Sequence, residues 1–103
     1  MKNTFTQGNV RTIVFYDKED ACWYGAALEL GITVDGDSPD YVAHELREAI
    51  LGYIEAAKEI GDESVLNKTP IQEYEELWQK SQQNMAVPSP FVIDSIGTQK
   101  FYA

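Results

Sequence analysis

From Ser38 to Gly61 the chain carries an apolar stripe at alternating three- and four-residue spacing, and no other feature restricts its folding as tightly. Val42, Leu46, Ala49, Ile50, Tyr53, Ile54, Ala57 and Ile60 fall on one side of an α-helix, while Glu45, Arg47, Glu48, Glu55, Lys58 and Glu59 occupy the rest. The lead-in, DGDSPD, reads as a helix start. Gly36 suits a turn, Ser38 accepts from the free amides of the first turn, and Pro39 sits where a missing N–H costs nothing. Asp40 lies where the helix dipole favours negative charge, and Gly61 supplies a left-handed stop. An amphipathic helix of about six turns is expected. Its apolar side needs a surface to cover.

The same acidic stretch invites comparison with a calcium loop, which wants alternating oxygen ligands, glycine at the sixth position and a bidentate glutamate at the twelfth. Asp35 and Asp37 alternate, but Pro39 takes the next ligand position and the glycine comes second. Capping accounts for these residues, and no metal site is expected.

The covering surface is legible upstream. Val10–Tyr16 is rich in β-branched and aromatic residues and reads as a strand. In Cys22–Leu30 the parity Cys22, Tyr24, Ala26, Leu28 and Leu30 is the more uniformly apolar and is expected to face the core. Trp23, Gly25, Ala27 and Glu29 point the other way. A third strand starts at Ile32 and runs to about Asp35, and links this short permit only an antiparallel meander. Residues 1–9 are polar and aperiodic, so a fraying lead-in is expected. Downstream, Thr69 reads as a second cap, Pro70 as the first helical residue and Gln72 as the partner in a capping box. A shorter helix should follow to about Gln83, with Ile71, Tyr74, Leu77 and Trp78 on one face, and Phe91–Ile96 is a strand candidate. The expected fold class is α+β, a single domain of 103 residues with one modest core. The meander, extended by a fourth strand, packs one face on the long helix.

Charge narrows function. Of the formal net charge of −9, residues 34–67 contribute −7, with nine acids against two bases. Such a field repels nucleic acid phosphates and attracts basic partners; the commoner reason for acidity is solubility alone. Direct nucleic acid binding is not expected, and a basic protein partner is. One cysteine, Cys22, allows no internal disulfide and fits a reducing compartment. With no membrane-spanning apolar run, the expected location is cytoplasmic.

No catalytic constellation is identifiable. His44, the sole histidine, has the helix position of a solvent-facing residue, Cys22 belongs to the apolar parity of its strand, and HExxH, CxxC and glycine-rich phosphate-cradle spacings are lacking. No catalytic residue and no cofactor are expected. Trp23, on the parity away from the expected core, is a candidate interface anchor, or else packs under the second helix or the C-terminal strand.

Two stretches, FYDKEDACWYGAALELG and ITVDGDSPDYVAHELREAILGYIEAAKEIGDE, together resemble the HicB-type antitoxin family over residues 10–63, about half the chain. The resemblance implies a truncated ribonuclease H fold lacking the nuclease carboxylates, and a noncatalytic role: covering the RNA-binding face of a small basic ribonuclease, HicA. It would make Asp35 and Asp37 structural, and together with the −7 of residues 34–67 it puts partner binding on Glu45, Glu48, Glu55 and Glu59, with Trp23 added from its parity. Many members append a DNA-binding segment, whereas residues 68–103 hold one short helix and a strand-like end, without the two helices and basic surface of a helix-turn-helix. The alternatives are a metal-dependent ribonuclease H-like nuclease using Asp17, Asp35 or Asp37, and a solitary self-associating module. A homodimer is expected because a strand-like C-terminus invites pairing between copies.

Overall fold

Strand β1 (Gln7–Asp17) is the spine of the molecule, with β2 (Cys22–Ala27) on one side and β4 (Phe91–Tyr102) on the other. Strand β3 (Ile32–Gly36) completes an antiparallel sheet of order β3-β2-β1-β4. Helix α1 (Pro39–Ile60) follows β3, and helix α2 (Gln72–Gln82) precedes β4. The structure, a computed structural model, describes residues 2–102. The fold is α+β, with a four-stranded antiparallel sheet and two helices. No helix among the described residues is long and apolar enough to cross a membrane.

Both faces of the sheet are covered, because β1 is apolar on both parities. Val10 faces α1 with Ala27, Leu30, Leu46, Ile50, Ile54, Ala57 and Leu66. Ile13 and Phe15 face α2 with Ala26, Leu28, Leu77 and Trp78. The expected single covered face thus becomes a helix–sheet–helix sandwich. The parity of β2 is corrected as well: Tyr24, Ala26 and Leu28 pack with α2, while α1 lies over Gly25 and Ala27. Small residues decide this. A Cβ at Gly25 would stand 2.7 Å from Val42 Cγ1, so the helix seats closely only where β2 presents no side chain.

The second strand ends at Ala27, three residues before the expected Leu30, because Leu28–Leu30 form a 3₁₀ turn. That turn sends Leu28 and Leu30 into different core clusters. The N-terminal segment, expected to fray, is anchored: Asn3 is 3% exposed, donates to Leu66 O at 2.9 Å and accepts from Asn9 N at 2.9 Å. Asn67 completes the tie by accepting from Asn3 N at 2.7 Å and donating to Asn3 O at 2.8 Å.

The start of α1 follows expectation, with Ser38 Oγ accepting from Tyr41 N at 3.2 Å and Pro39 as the first helical residue. Gly61 closes it at φ 79°. The start of α2 does not. Its N-cap is Ile71 with no side-chain cap, so Thr69 caps nothing and Gln72 closes no capping box; the Gln72 amide donates instead to Glu76 Oε1 at 3.1 Å. After Leu66 packs on the α1 side, the chain must pass to the opposite face before a helix can cover it. Residues 67–71 make that passage, held by Lys68 N donating to Glu29 O at 2.8 Å.

A polar clamp then fixes α2 on the sheet. Arg11 donates from Nε to Glu29 Oε2 at 2.7 Å and through its two terminal nitrogens to Glu75 at 2.5 and 2.8 Å. Its guanidinium carbon lies 5.2 Å from the Trp78 ring centroid, and Trp78 Nε1 donates to Thr12 O at 3.1 Å. Hydrogen bonding to Arg11 holds the Glu75 carboxyl below its ordinary value, and the same bond leads the rise at Arg11.

Candidate functional site

The first turn of α1 stands over the end of the sheet, and the helix start sets which side chain lands there. With Ser38 capping and Pro39 leading, Tyr41 lies directly over Gly36, where a Cβ would come within 2.6 Å of its ring. Gly36 pairs with Trp23 on β2, and Trp23 pairs with Tyr16 on β1, their rings 5.0 Å apart. Three aromatics therefore cross three strands on the α1 side of the sheet. Tyr16 and Trp23 are half-buried, whereas Tyr41 is 53% exposed.

Carboxylates border the Tyr41 ring. Asp35 and Asp37 flank Gly36 and, with Tyr41, line a shallow cleft of about 450 Å³ at the strand end, although Asp35 is in register with Tyr24 and its Oδ2 lies 4.0 Å from the Cys22 thiol on the other face. The neighbouring Glu45 carboxylate, then burial, then the charges of Asp35 and Asp37 raise the Tyr41 phenol above its ordinary value. An exposed ring bordered by carboxylates suits a guanidinium or ammonium, which takes charge-assisted hydrogen bonds and the ring face together.

Of the residues expected to bind a partner, Trp23 and Glu45 meet in this region. Glu48, Glu55 and Glu59 continue outward along α1, all exposed. Glu45 and Glu59 are fourteen residues apart, about 21 Å along the helix, so the far acids extend the surface without joining the cleft. Glu55 is paired with Lys58 at 3.8 Å. Arg47 lies on the other flank of α1, in a separate groove of about 350 Å³ with Thr12, Val14, Ser95 and Gly97. Sequence reasoning missed Tyr41 and Tyr16. Tyr41 had a signal, an aromatic outside the apolar stripe of an amphipathic helix; Tyr16 had none beyond strand propensity.

Of the residues considered for chemistry, Asp17, Cys22 and Asp35 lie together at one end of the sheet, with Cys22 paired to Asp17 and its thiol 4.0 Å from Asp35 Oδ2, while His44 stands apart on α1. Asp17 Oδ1 accepts from the amides of Glu19 and Asp20 at 2.9 and 3.2 Å, a turn-forming role. Tyr24 donates to Asp20 at 2.8 Å, and that bond leads the rise of its phenol to about 12. Cys22 is half-buried, its thiol 3.4 Å from Trp23 O, and His44 is exposed. Among the described residues, no group of three or more His, Cys, Asp or Glu side chains is placed to hold a metal ion. Compared with protein-family models, with curated proteins and with solved structures, the chain has no match.

Proposed function

We infer that this protein is a noncatalytic binding module that holds a small basic protein on the acidic, aromatic surface at the start of α1. The observation that carries this reading is Tyr41, exposed on a seat formed by Gly36 and the α1 cap, with Glu45 and Asp37 beside it and Asp35 at the far wall of the cleft. Glu48, Glu55 and Glu59 extend the negative field along the helix and would guide encounter more than affinity. Exposed aromatics among complementary charges are typical centres of interfaces. The resemblance of residues 10–63 to HicB-type antitoxins supplies the partner class, a small basic ribonuclease of the HicA kind, and the truncated ribonuclease H fold belongs to the same proposal.

The test is capture of the tagged protein from its native cells at low salt, followed by addition of the purified chain to any small basic protein that co-elutes. The expected partner leaves as salt rises and degrades RNA only when this protein is absent. Tyr41→Ala should weaken the complex by about 2 kcal/mol or more, roughly thirtyfold. Glu45→Lys with Glu48→Lys should slow association. A complex indifferent to all three substitutions would end this reading, and a partner without ribonuclease activity would end its toxin component.

A further inference from the structure

The two edges of the sheet differ. β3 is five residues long and carries Asp35 beside Asp37, the short and charged kind of edge that resists strand addition. β4 is twelve residues long and pairs along one side only. Neither helix closes its free side, since α1 lies mainly over β2 and β3 and α2 crosses β1 and β4 on the opposite face.

β4 holds two charges, Asp94 and Lys100, of opposite sign and equally distant from Gly97. When two such strands pair antiparallel about a two-fold axis, opposed residues have numbers with a constant sum, and one axis alone, through Gly97, sets Asp94 of each copy against Lys100 of the other. The local geometry agrees. Ser95 pairs with Val14 and Ile93 with Phe15, which leaves Asp94 without a partner on β1 at a bulge. The segment on the C-terminal side of that bulge is regular, as an added strand requires. Lys100 shares the parity of Ile96, on the α2 side, while the bulge takes Asp94 out of the alternation, since Ile93 and Ile96 both face α2. Asp94 lines the groove beside Met85, Val87 and Ile93, so in the paired sheet its carboxylate would lie toward the same face as Lys100. At the axis Gly97 offers no side chain to obstruct approach. Tyr102, 73% exposed, would be carried toward the apolar groove lined by Met85, Val87, Phe91 and Ile93 on the other copy.

We propose that a second copy of this chain pairs along the free edge of β4, centred on Gly97, so that two sheets join into one of eight strands locked by two reciprocal Asp94–Lys100 pairs. This contact lies across the sheet from the Asp35–Tyr41 cleft and leaves that cleft open.

Sedimentation of the full chain over a range of concentrations should give twice the chain mass. Asp94→Lys sets two like-charge pairs and should weaken the dimer at least about tenfold. Asp94→Lys with Lys100→Asp restores opposite charges and should recover it. Register is read independently in a Cys22→Ser background. Directly opposed strand residues have Cα atoms about 4.5 or 5.5 Å apart, within disulfide reach, so Gly97→Cys should cross-link on oxidation. A Cβ at Gly97 meets only Thr12 Oγ1, at 3.7 Å, so the substitution is accommodated. Ser95→Cys would lie about 13 Å from its own counterpart and should not cross-link. A monomer at every concentration overturns the proposal, and so does a dimer that ignores the charge exchange and cross-links no better through Gly97→Cys than through Ser95→Cys.

Discussion

Arg11 illustrates how much of this fold rests on single side chains. It reaches from the spine strand to Glu29 and Glu75 while its guanidinium lies against Trp78, tying β1, the 3₁₀ turn after β2, and α2 together. Hydrogen bonds to charged groups contribute roughly 1.5–3 kcal/mol when little exposed, so Arg11→Met should lower unfolding free energy by about 1–3 kcal/mol in urea titration. An unchanged midpoint would show that apolar packing alone seats α2. The pH dependence has a definite sign. Because the folded Glu75 carboxyl titrates below its unfolded value, it contributes stability above the ordinary glutamate range near about pH 4. That contribution is lost as pH falls through the folded value. Glu75→Gln should flatten this part of the acid limb, which comparison of urea midpoints between pH 3 and 6 would reveal. The pairing was not legible in the sequence, since Arg11 and Glu75 are 64 residues apart and each alone is an ordinary surface charge.

At the scale of elements, the two helices show when local signals suffice. Ser38, Pro39 and Gly61 occupy the roles their types imply, because capping is a contact within four residues and tertiary packing does not oppose it there. Thr69, Pro70 and Gln72 form an equally good local signal, yet the chain overrides it to carry residues 67–71 between faces. Ser38→Ala should therefore cost about 1 kcal/mol, whereas Thr69→Ala should stay within about 0.5 kcal/mol. Equal losses in thermal denaturation would mean that Thr69 does cap a helix in solution. Among the strands, β3 needed only its turn and short link, while β1 proved longer than Val10–Tyr16, starting at Gln7 where Asn3 anchors the approach.

For the whole molecule, the decisive feature is the second covered face. Residues 68–103 supply α2 and β4, which bury Ile13, Phe15, Ala26 and Leu28 and occupy one side of β1. A chain ending at Asn67 would expose those side chains and leave β1 as an open edge. It should lose cooperative unfolding and bind a hydrophobic dye, and a truncated chain that melts as sharply as the full one would show that α1 and three strands suffice. The candidate site depends on the same assembly. Asp35, Asp37 and Glu45 were visible in the sequence as acids near a helix start. Their grouping around Tyr41, next to Trp23 and Tyr16, depends on strand register and on how closely α1 approaches the sheet.

By itself the sequence determined the elements whose causes are local: the capped and stopped α1, the meander forced by short links, the excess of negative charge in residues 34–67. Helical period, capping and turn length act over a few residues, so they survive without knowledge of what lies beyond. Tertiary structure alone decided which parity of β2 meets which helix, where α2 begins and which aromatic stands exposed. Both parities of β1 and β2 are apolar enough to be buried. The choice between them fell to steric fit at Gly25 and Gly36, and to a partner for Arg11, neither of which any local window contains.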